Sequence, residues 1–362
     1  MRKNRINSLR TLSGELTFPV FFPDATRGFV KSLDTNDLDA CGVEGIVVNT
    51  IHLQSKPGLS TIKNAGRIHE FISWDKPVLS DSGGFQVYSF INSGGSGAIS
   101  KNGFTYKLDG EDKKRELTPE KCIQIQLKLG ADIIYCLDYC THPSAPYDVH
   151  EESVRLTIDW AKRCKKEYNK LTATFKDKNR KPLLFAIVQG GDHPDLRKRC
   201  AEELLSIGFD GYGFGGWPIN DNGTLIDAVR VVADLIPEEF PTHGLGIGKP
   251  ENLADAYKMG YDIFDCVIPT RDARHKRLYV FNGNSLQKGN FYDYVYIGDE
   301  KYMKDPAPVE EGCDCLTCTR FSRGYVNHLF NTGDPVSARL ASIHNIRFYT
   351  RLIDKIRGGA LG

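Results

Sequence analysis

The chain has 362 residues, 40% apolar and 26% charged, a balance that excludes general disorder and allows one large α/β barrel with appendages or two domains. Lys plus Arg number 47 against 46 for Asp plus Glu, a formal charge of +1, so any anionic polymer must be held by a local basic patch. No run of about 18 apolar residues occurs and Met1 to Asn4 lead into polar sequence, so neither a membrane span nor a secretory leader is expected and the cytoplasm is the expected location.

Short apolar or β-branched runs recur at residues 18–25, 45–50, 77–81, 132–138, 183–189, 208–216, 243–248 and 263–270, with longer helical patterns between them. Eight such runs in alternation predict a (β/α)8 TIM barrel. After the third run, Gly94 to Gly97 form a flexible stretch. Residues 98–108 then carry an Asn102-Gly103 pair of the kind that closes a tight hairpin, so an antiparallel hairpin insertion is expected around residues 91–117. Thr118 next stands where it caps a helix, Pro119 fits the first helical position, Cys122, Ile125 and Leu129 share a face, and Gly130 ends it. Residues 151–168 repeat the pattern with Val154, Ile158 and Ala161 on one stripe. From about Gly289 the alternation breaks. The expected division is a barrel core over residues 1–288 and a zinc-binding subdomain with C-terminal helices closing on the barrel over 289–362.

In such a barrel the reactive face is built from the C-terminal ends of the strands. There the sequence puts Asp81-Ser82-Gly83-Gly84-Phe85-Gln86 after strand three, Asp138 after strand four, Gln189-Gly190-Gly191 after strand five, Gly215-Gly216-Trp217 after strand six and Leu245-Gly246 on strand seven. On strand eight Asp265 alternates with Ile263 and Val267, which points it into the barrel. Three carboxylates at one mouth repel one another unless their proton affinities are set apart. That separation is what chemistry on a glycosidic bond requires, because one acid attacks while another handles protons. A lone aspartate at a strand end more often caps the next helix. Several of them, on a rim shared with paired glycines that let amides approach a flat ligand, point to a site.

Seven of the ten cysteines, Cys41, Cys122, Cys136, Cys140, Cys164, Cys200 and Cys266, are scattered through predicted helices and strands. Cys313, Cys315 and Cys318 cluster as CxCxxC, which suits metal binding in a reducing compartment better than a disulfide framework. His344 follows after 25 residues and completes a Cys3His set suited to one structural, tetrahedral zinc per chain, while His328 serves equally on spacing alone. Directly after strand eight, Arg271, Arg274, His275, Lys276 and Arg277 put a basic cluster beside the mouth, where a phosphate backbone would be held. Such runs are otherwise solvated faces.

Taken together, DSGGFQ at 81–86, VQGG at 188–191, GFGG at 213–216, LGIGKP at 245–250, FDCVIPTR at 264–271, CDCLTC at 313–318 and HNIRFY at 344–349 resemble the tRNA-guanine transglycosylase family, over a span from about Phe18 to Arg357. The resemblance implies an enzyme that exchanges guanine at the wobble position of a GUN-anticodon tRNA for a 7-deazaguanine, preQ1 ahead of queuine. It implies Asp265 as the nucleophile on C1′ of the ribose, giving a covalent intermediate, and Asp81 as the proton carrier. By the same resemblance Asp138, Gln189, Gly215 and Gly216 read the guanine edge, and Phe85, Leu245 and Gly246 wall the base. Arg271 and Arg274, with Lys276 and Arg277 beside them, contact tRNA. Cys313, Cys315, Cys318 and His344 hold zinc, which decides the fourth ligand in favour of His344. A homodimer is also implied, one subunit catalysing while the other helps to hold the same tRNA.

The chain departs from the family's bacterial pattern at Tyr139, where Glu is usual, and at Trp217-Pro218-Ile219-Asn220-Asp221, where Leu-Ala-Val-Gly-Glu is usual. These positions line the side of the pocket that faces the 7-substituent. Two rival readings keep part of the picture. A DNA-modifying 7-deazaguanine transglycosylase is disfavoured by the intact Arg271 and Arg274 pair and the complete zinc set. A non-catalytic tRNA-binding partner subunit of an active homologue is disfavoured by the retention of both Asp81 and Asp265.

Overall fold

Side chains that alternate with period two on eight short strands build the centre of the protein. A computed structural model describes residues 5–107, 114–175, 181–283, 286 and 291–361. The expected hairpin end at Leu108 and the expected division between residues 288 and 289 lie outside the described residues.

Antiparallel β1 (Ser8–Arg10) and β2 (Glu15–Thr17) lead into β3 (Val20–Pro23), α1 (Thr35–Ala40), β4 (Ile46–Val48), α2 (Thr50–Ser55), α3 (Leu59–Ala65), α4 (Ile68–Ile72), β5 (Val78–Ser80) and α5 (Gly84–Asn92). An antiparallel sheet of β6 (Gly97–Ser100), β7 (Gly103–Tyr106) and β8 (Arg115–Leu117) then precedes α6 (Pro119–Leu129). The alternation resumes with β9 (Ile133–Tyr135), α7 (Tyr147–Thr172), β10 (Leu183–Val188), α8 (Pro194–Ile207), β11 (Gly211–Phe214), α9 (Asp227–Leu235), β12 (Thr242–Gly244), α10 (Pro250–Met259), β13 (Ile263–Cys266) and α11 (Ile268–Arg274). A hairpin of β14 (Arg277–Phe281) and β15 (Tyr292–Tyr296) follows, then α12 (Leu316–Arg320), α13 (Arg323–Thr332) and α14 (Val336–Arg357).

Eight parallel strands run in the order β3, β13, β12, β11, β10, β9, β5, β4. The sheet curls into a nearly closed barrel at the seam between β3 and β4, where Asp24 bridges Val47 and the Ala25 amide donates to the Val47 carbonyl at 2.8 Å. The expected TIM barrel is therefore present. Val20, Phe22, Leu79, Ile133, Tyr135, Phe185, Ile187 and Ile263 fill its interior, and Leu16 and Phe18 from the entering hairpin plug the N-terminal end. The opposite faces of the same strands, with Phe21, Val78, Ile134, Leu184 and Phe264, pack against the surrounding helices.

The insertion has three strands, since β8 pairs with β7 beyond the Asn102-Gly103 turn. The eighth run, expected to extend over residues 263–270, leaves the sheet after Cys266. Val267 turns into the right-handed helical region and Pro269, which has no N–H for a ladder, enters the first turn of α11. α6 meets its expected signals one by one: Thr118 accepts from the Lys121 amide, Pro119 opens the helix and Gly130 closes it at φ 72°.

Close approach inside the barrel makes a specific demand at Gly211 on β11, where an added Cβ would lie 2.4 Å from Cζ of the fully buried Phe185. Gly211→Ala is expected to destabilise the protein by about 2 kcal/mol, read as a lower urea midpoint with an unchanged slope.

Candidate active site

Because all eight strands point the same way, the residues that follow them share one rim. Asp24 follows β3, Asp81 follows β5, Asp138 lies beyond β9, Gln189 follows β10, Gly215 and Gly216 follow β11, Leu245 and Gly246 follow β12, and Asp265 sits on β13.

Asp81 is held by three donors. The Asn49 amide nitrogen reaches Oδ2 at 2.7 Å, the Thr50 backbone amide reaches Oδ1 at 3.1 Å and the Gln86 amide reaches Oδ2 at 3.1 Å. Burial nevertheless lifts its carboxyl to about 7, against the pull of the Thr50 and Asn49 bonds and with help from the charges of Asp24 and Asp265. Asp81 and Asp265 both stand at the C-terminal end of the same parallel barrel.

Asp138 is buried and accepts from Ser82 Oγ at 3.1 Å and from Gln189 Nε2 at 2.7 Å, and burial lifts its carboxyl to about 6 against those two bonds. Gly215 lies so close to Gln189 that a Cβ there would come within 2.5 Å of Nε2, so the backbone presses directly on the amide side chain. Gly216 adopts φ 97°, a left-handed conformation that favours glycine. Phe85 is 47% exposed and edge-on to Trp217 at 5.5 Å, and Gly246 leaves open space where a side chain would stand. Tyr139 turns into an aromatic cluster with Tyr88, Phe104 and Trp160. Trp217 packs between Phe85, Tyr88 and His142.

Asp265 is 20% exposed, and its Oδ1 accepts from the Gly246 backbone amide at 3.1 Å and faces His243 Nε2 at 2.9 Å. Among the described residues its Oδ2 has no hydrogen-bond partner.

The basic cluster divides. Arg271 on α11 is exposed, and Arg274 on the same helix is partly buried near Asp24, with Nη1 buried and without a partner among the described residues. Arg277 instead makes a bidentate pair with Asp272 at 2.7 and 3.0 Å and lies over the Tyr294 ring, while Lys276 is exposed with Nζ 5.9 Å from the Phe330 ring centre.

Far along the chain, the sulfurs of Cys313, Cys315 and Cys318 and Nδ1 of His344 all lie within 4.8 Å of one another. Nδ1 is 3.9, 3.7 and 3.3 Å from the three sulfurs, close to the roughly 3.5–3.8 Å between donors around a tetrahedral ion of zinc size. His344 Nε2 donates to the Tyr279 carbonyl at 2.6 Å, which turns Nδ1 toward the sulfurs with its lone pair free for a metal. His328 is exposed and outside this cluster.

Sequence reasoning missed Asp24, His243, Tyr135 and Asn49. Asn49 is the N-cap of α2, accepting from the His52 amide, and this disguises the donor it turns on Asp81. Asp24 follows a strand and precedes Thr26, whose amide and hydroxyl it accepts, the signal of a local turn. His243 and Tyr135 lie on strands, where each has the look of an ordinary barrel residue.

Against known proteins, the family described as Queuine tRNA-ribosyltransferase matches residues 2–359. Proteins named queuine tRNA-ribosyltransferase are similar along nearly the whole chain. The one from Psychrobacter cryohalolentis is 40% identical over 95% of this chain and 86% of its own length. Those from Thermoanaerobacter pseudethanolicus and Acinetobacter baylyi are each 38% identical over 98% of this chain and over 89% and 87% of their own lengths.

Proposed function

We propose that this chain, which belongs to the queuine tRNA-ribosyltransferase family and is a tRNA-guanine transglycosylase, exchanges the base through a covalent intermediate on Asp265. Asp265 Oδ2 attacks C1′ of the target ribose, the C1′–N9 bond breaks, and the departing guanine takes the proton of Asp81. The incoming 7-deazaguanine returns its N9 proton to Asp81 as N9 attacks C1′ and the ester to Asp265 opens. Two displacements at one carbon retain the β configuration, and charge balances because Asp265 loses its charge in the step in which Asp81 gains one. The reading rests on the contrast between the two acids. Asp265 offers a carboxylate oxygen that no described residue occupies, whereas Asp81, at about 7, carries a proton in a large fraction of molecules at neutral pH.

In this proposal the Asp138 carboxylate, the Gln189 amide and the Gly216 backbone amide read the edge of the purine, with Gly215 pressing on Gln189 from below. Phe85, Leu245 and Gly246 wall the base. Arg271, Arg274 and Lys276 contact tRNA, and Arg277 acts through Asp272 by holding the end of α11. The tRNA carries a GUN anticodon. The incoming base is preQ1 ahead of queuine, with Trp217, packed on Phe85 and Tyr88, beside Gly216. Cys313, Cys315, Cys318 and His344 hold a structural zinc, for which three thiolates and an imidazole are the fitting donors. The active form is a homodimer, for which the exposed Tyr296, Met303, Leu316, Tyr325 and Val336 supply apolar surface. A cytoplasmic location, where tRNA is found, suits a chain in which no helix among the described residues is long and apolar enough to cross a membrane.

Incubating the enzyme with tRNA and resolving the products on denaturing gels tests the nucleophile. Asp265→Ala and Asp265→Asn should form no covalent adduct, with tRNA affinity for the Asn variant within about twofold of wild type. A normal adduct from either variant would remove Asp265 from the role. Acidity gives a second expectation. The rate of adduct formation from bound tRNA should fall as pH rises through about 7, where Asp81 loses the proton the leaving base needs. Base binding should weaken as pH falls through about 6, where Asp138 ceases to be an acceptor. A flat profile between pH 5.5 and 8 counts against both assignments. For the metal, Cys315→Ser should lose about one zinc per chain by atomic absorption and lower solubility. Unchanged zinc content would dismiss the site.

A further inference from the structure

We infer that His243, steadied by Tyr135, is a positioning residue for the nucleophile. As a neutral imidazole it donates its Nε2 hydrogen to one oxygen of Asp265 and leaves the other oxygen to attack, an inference that rests on Asp265 being the nucleophile.

His243 lies on β12, in register with Ile263 on β13, and is fully buried. Its two nitrogens face different partners. Nε2 is 2.9 Å from Asp265 Oδ1, and Nδ1 is 2.7 Å from the hydroxyl of Tyr135, which reaches across the barrel interior from β9. Among the described residues the phenol has no other hydrogen-bond partner. It is packed edge-on against Phe185 at 5.6 Å and keeps its proton, since burial first, then the charges of Asp265 and Asp138, push its ionisation well above the usual range.

These contacts assign the tautomer. The buried phenol has one hydrogen and one nearby acceptor, so it donates to Nδ1, and the hydrogen of a neutral imidazole is then on Nε2, facing the carboxylate. An imidazolium would aim a second hydrogen at the phenol oxygen and leave the phenol's own hydrogen without an acceptor in an apolar interior, which is costly. The Gly246 amide reaches the same Oδ1 at 3.1 Å, so both donors fall on one oxygen of Asp265.

A neutral donor fixes the direction of the carboxylate without cancelling its charge, so the free oxygen stays nucleophilic. The ring cannot swing out of line while Tyr135 ties its far side. The two donors also stabilise the carboxylate as it re-forms when the ester opens, so they assist both halves of the exchange. Asp265 therefore needs no cation beside it.

The test compares His243→Phe, His243→Gln, Tyr135→Phe and Asp265→Asn in single-turnover adduct formation and in steady-state exchange with guanine and tRNA. His243→Phe keeps the volume and removes both nitrogens. It is expected to lower the adduct rate and kcat about 30-fold, with KM for tRNA unchanged. His243→Gln places an amide N–H where Nε2 was and an amide oxygen within reach of the phenol, and should recover to within about fivefold of wild type. Wild-type kcat in His243→Phe overturns the inference, as does a Gln variant no faster than the Phe variant, because shape alone would then explain the loss. Should His243→Phe fail to fold, Tyr135→Phe decides. A fall in kcat of about three- to tenfold with unchanged KM supports the relay, and a wild-type rate overturns it. The Asp265→Asn arm separates this inference from the reading beneath it. Persistence of its adduct sinks the nucleophile itself, whereas loss of that adduct beside a fully active His243→Phe sinks only the role of His243.

Discussion

Parallel strands deliver every C-terminal end to one rim, and here that rim carries Asp24, Asp81, Asp138 and Asp265. Gathering four carboxylates is unfavourable unless each receives donors of its own or keeps its proton, and the local structure around the mouth answers that constraint residue by residue. Asp24 takes the amide and hydroxyl of Thr26, Asp265 takes His243 and the Gly246 amide, and Asp138 takes Ser82 and Gln189. Asp81 has three donors, but burial and the charges of Asp24 and Asp265 outweigh them, and it becomes the most readily protonated of the acids whose shift is large, at about 7 against about 6 for Asp138. The charge pattern that base exchange needs thus follows from how deeply each acid sits and which donors it meets.

The two ends of the barrel use the same pair of side chains for opposite purposes. At the N-terminal end His69 Nε2 lies 2.9 Å from Asp132, which also accepts from the Val78 amide at 2.7 Å, and both side chains are almost completely buried. With no opening to solvent, that pair ties α4 to the start of β5 and β9 and has nothing to react with. At the C-terminal end His243 is as deeply buried, but Asp265 is 20% exposed. Exposure of the carboxylate, rather than the presence of a histidine beside it, separates the pair proposed to react from the sealed one.

The fold was legible because period two in the strands and the signals of helix ends are local properties. Thr118, Pro119 and Gly130 mark α6 without reference to anything distant. Asp81 and Asp138 were legible because they end apolar runs, and Asp265 because it alternates with Ile263 and Val267. What escaped notice depends on contacts across the barrel. His243 and Tyr135 are 108 positions apart, and each looks like an ordinary strand residue until the barrel closes. The true end of the eighth strand escaped for a similar reason. An apolar run through Val267 and Ile268 looks continuous, and only the backbone turn before Pro269 shows that it passes from sheet to helix. The division of the basic cluster was equally hidden, since the sequence does not show that Asp272 lies 2.7 Å from Arg277 but 4.0 Å from Arg271.

The cysteine cluster is remote from the mouth in sequence, yet one helix joins them mechanically. His344 on α14 belongs to the cluster and donates to the Tyr279 carbonyl on β14. The next residue, Asn345, accepts from the Tyr279 amide and donates to the carbonyls of Arg277 and of Pro269, at the first turn of α11. One turn on, the Tyr349 hydroxyl donates to the Gly248 carbonyl at 2.6 Å, in the loop that follows β12 and includes Gly246. A metal that fixed His344 would therefore hold α14 against both α11, which carries Arg271 and Arg274, and the loop whose amide steadies Asp265. Because Asn345 has its amide group fully engaged in a buried position, a shift of α14 would leave unsatisfied polar groups on three segments at once, which makes the connection stiff. An ion held at His344 would in this way set the distance between the α11 cations and the acid proposed to attack the ribose.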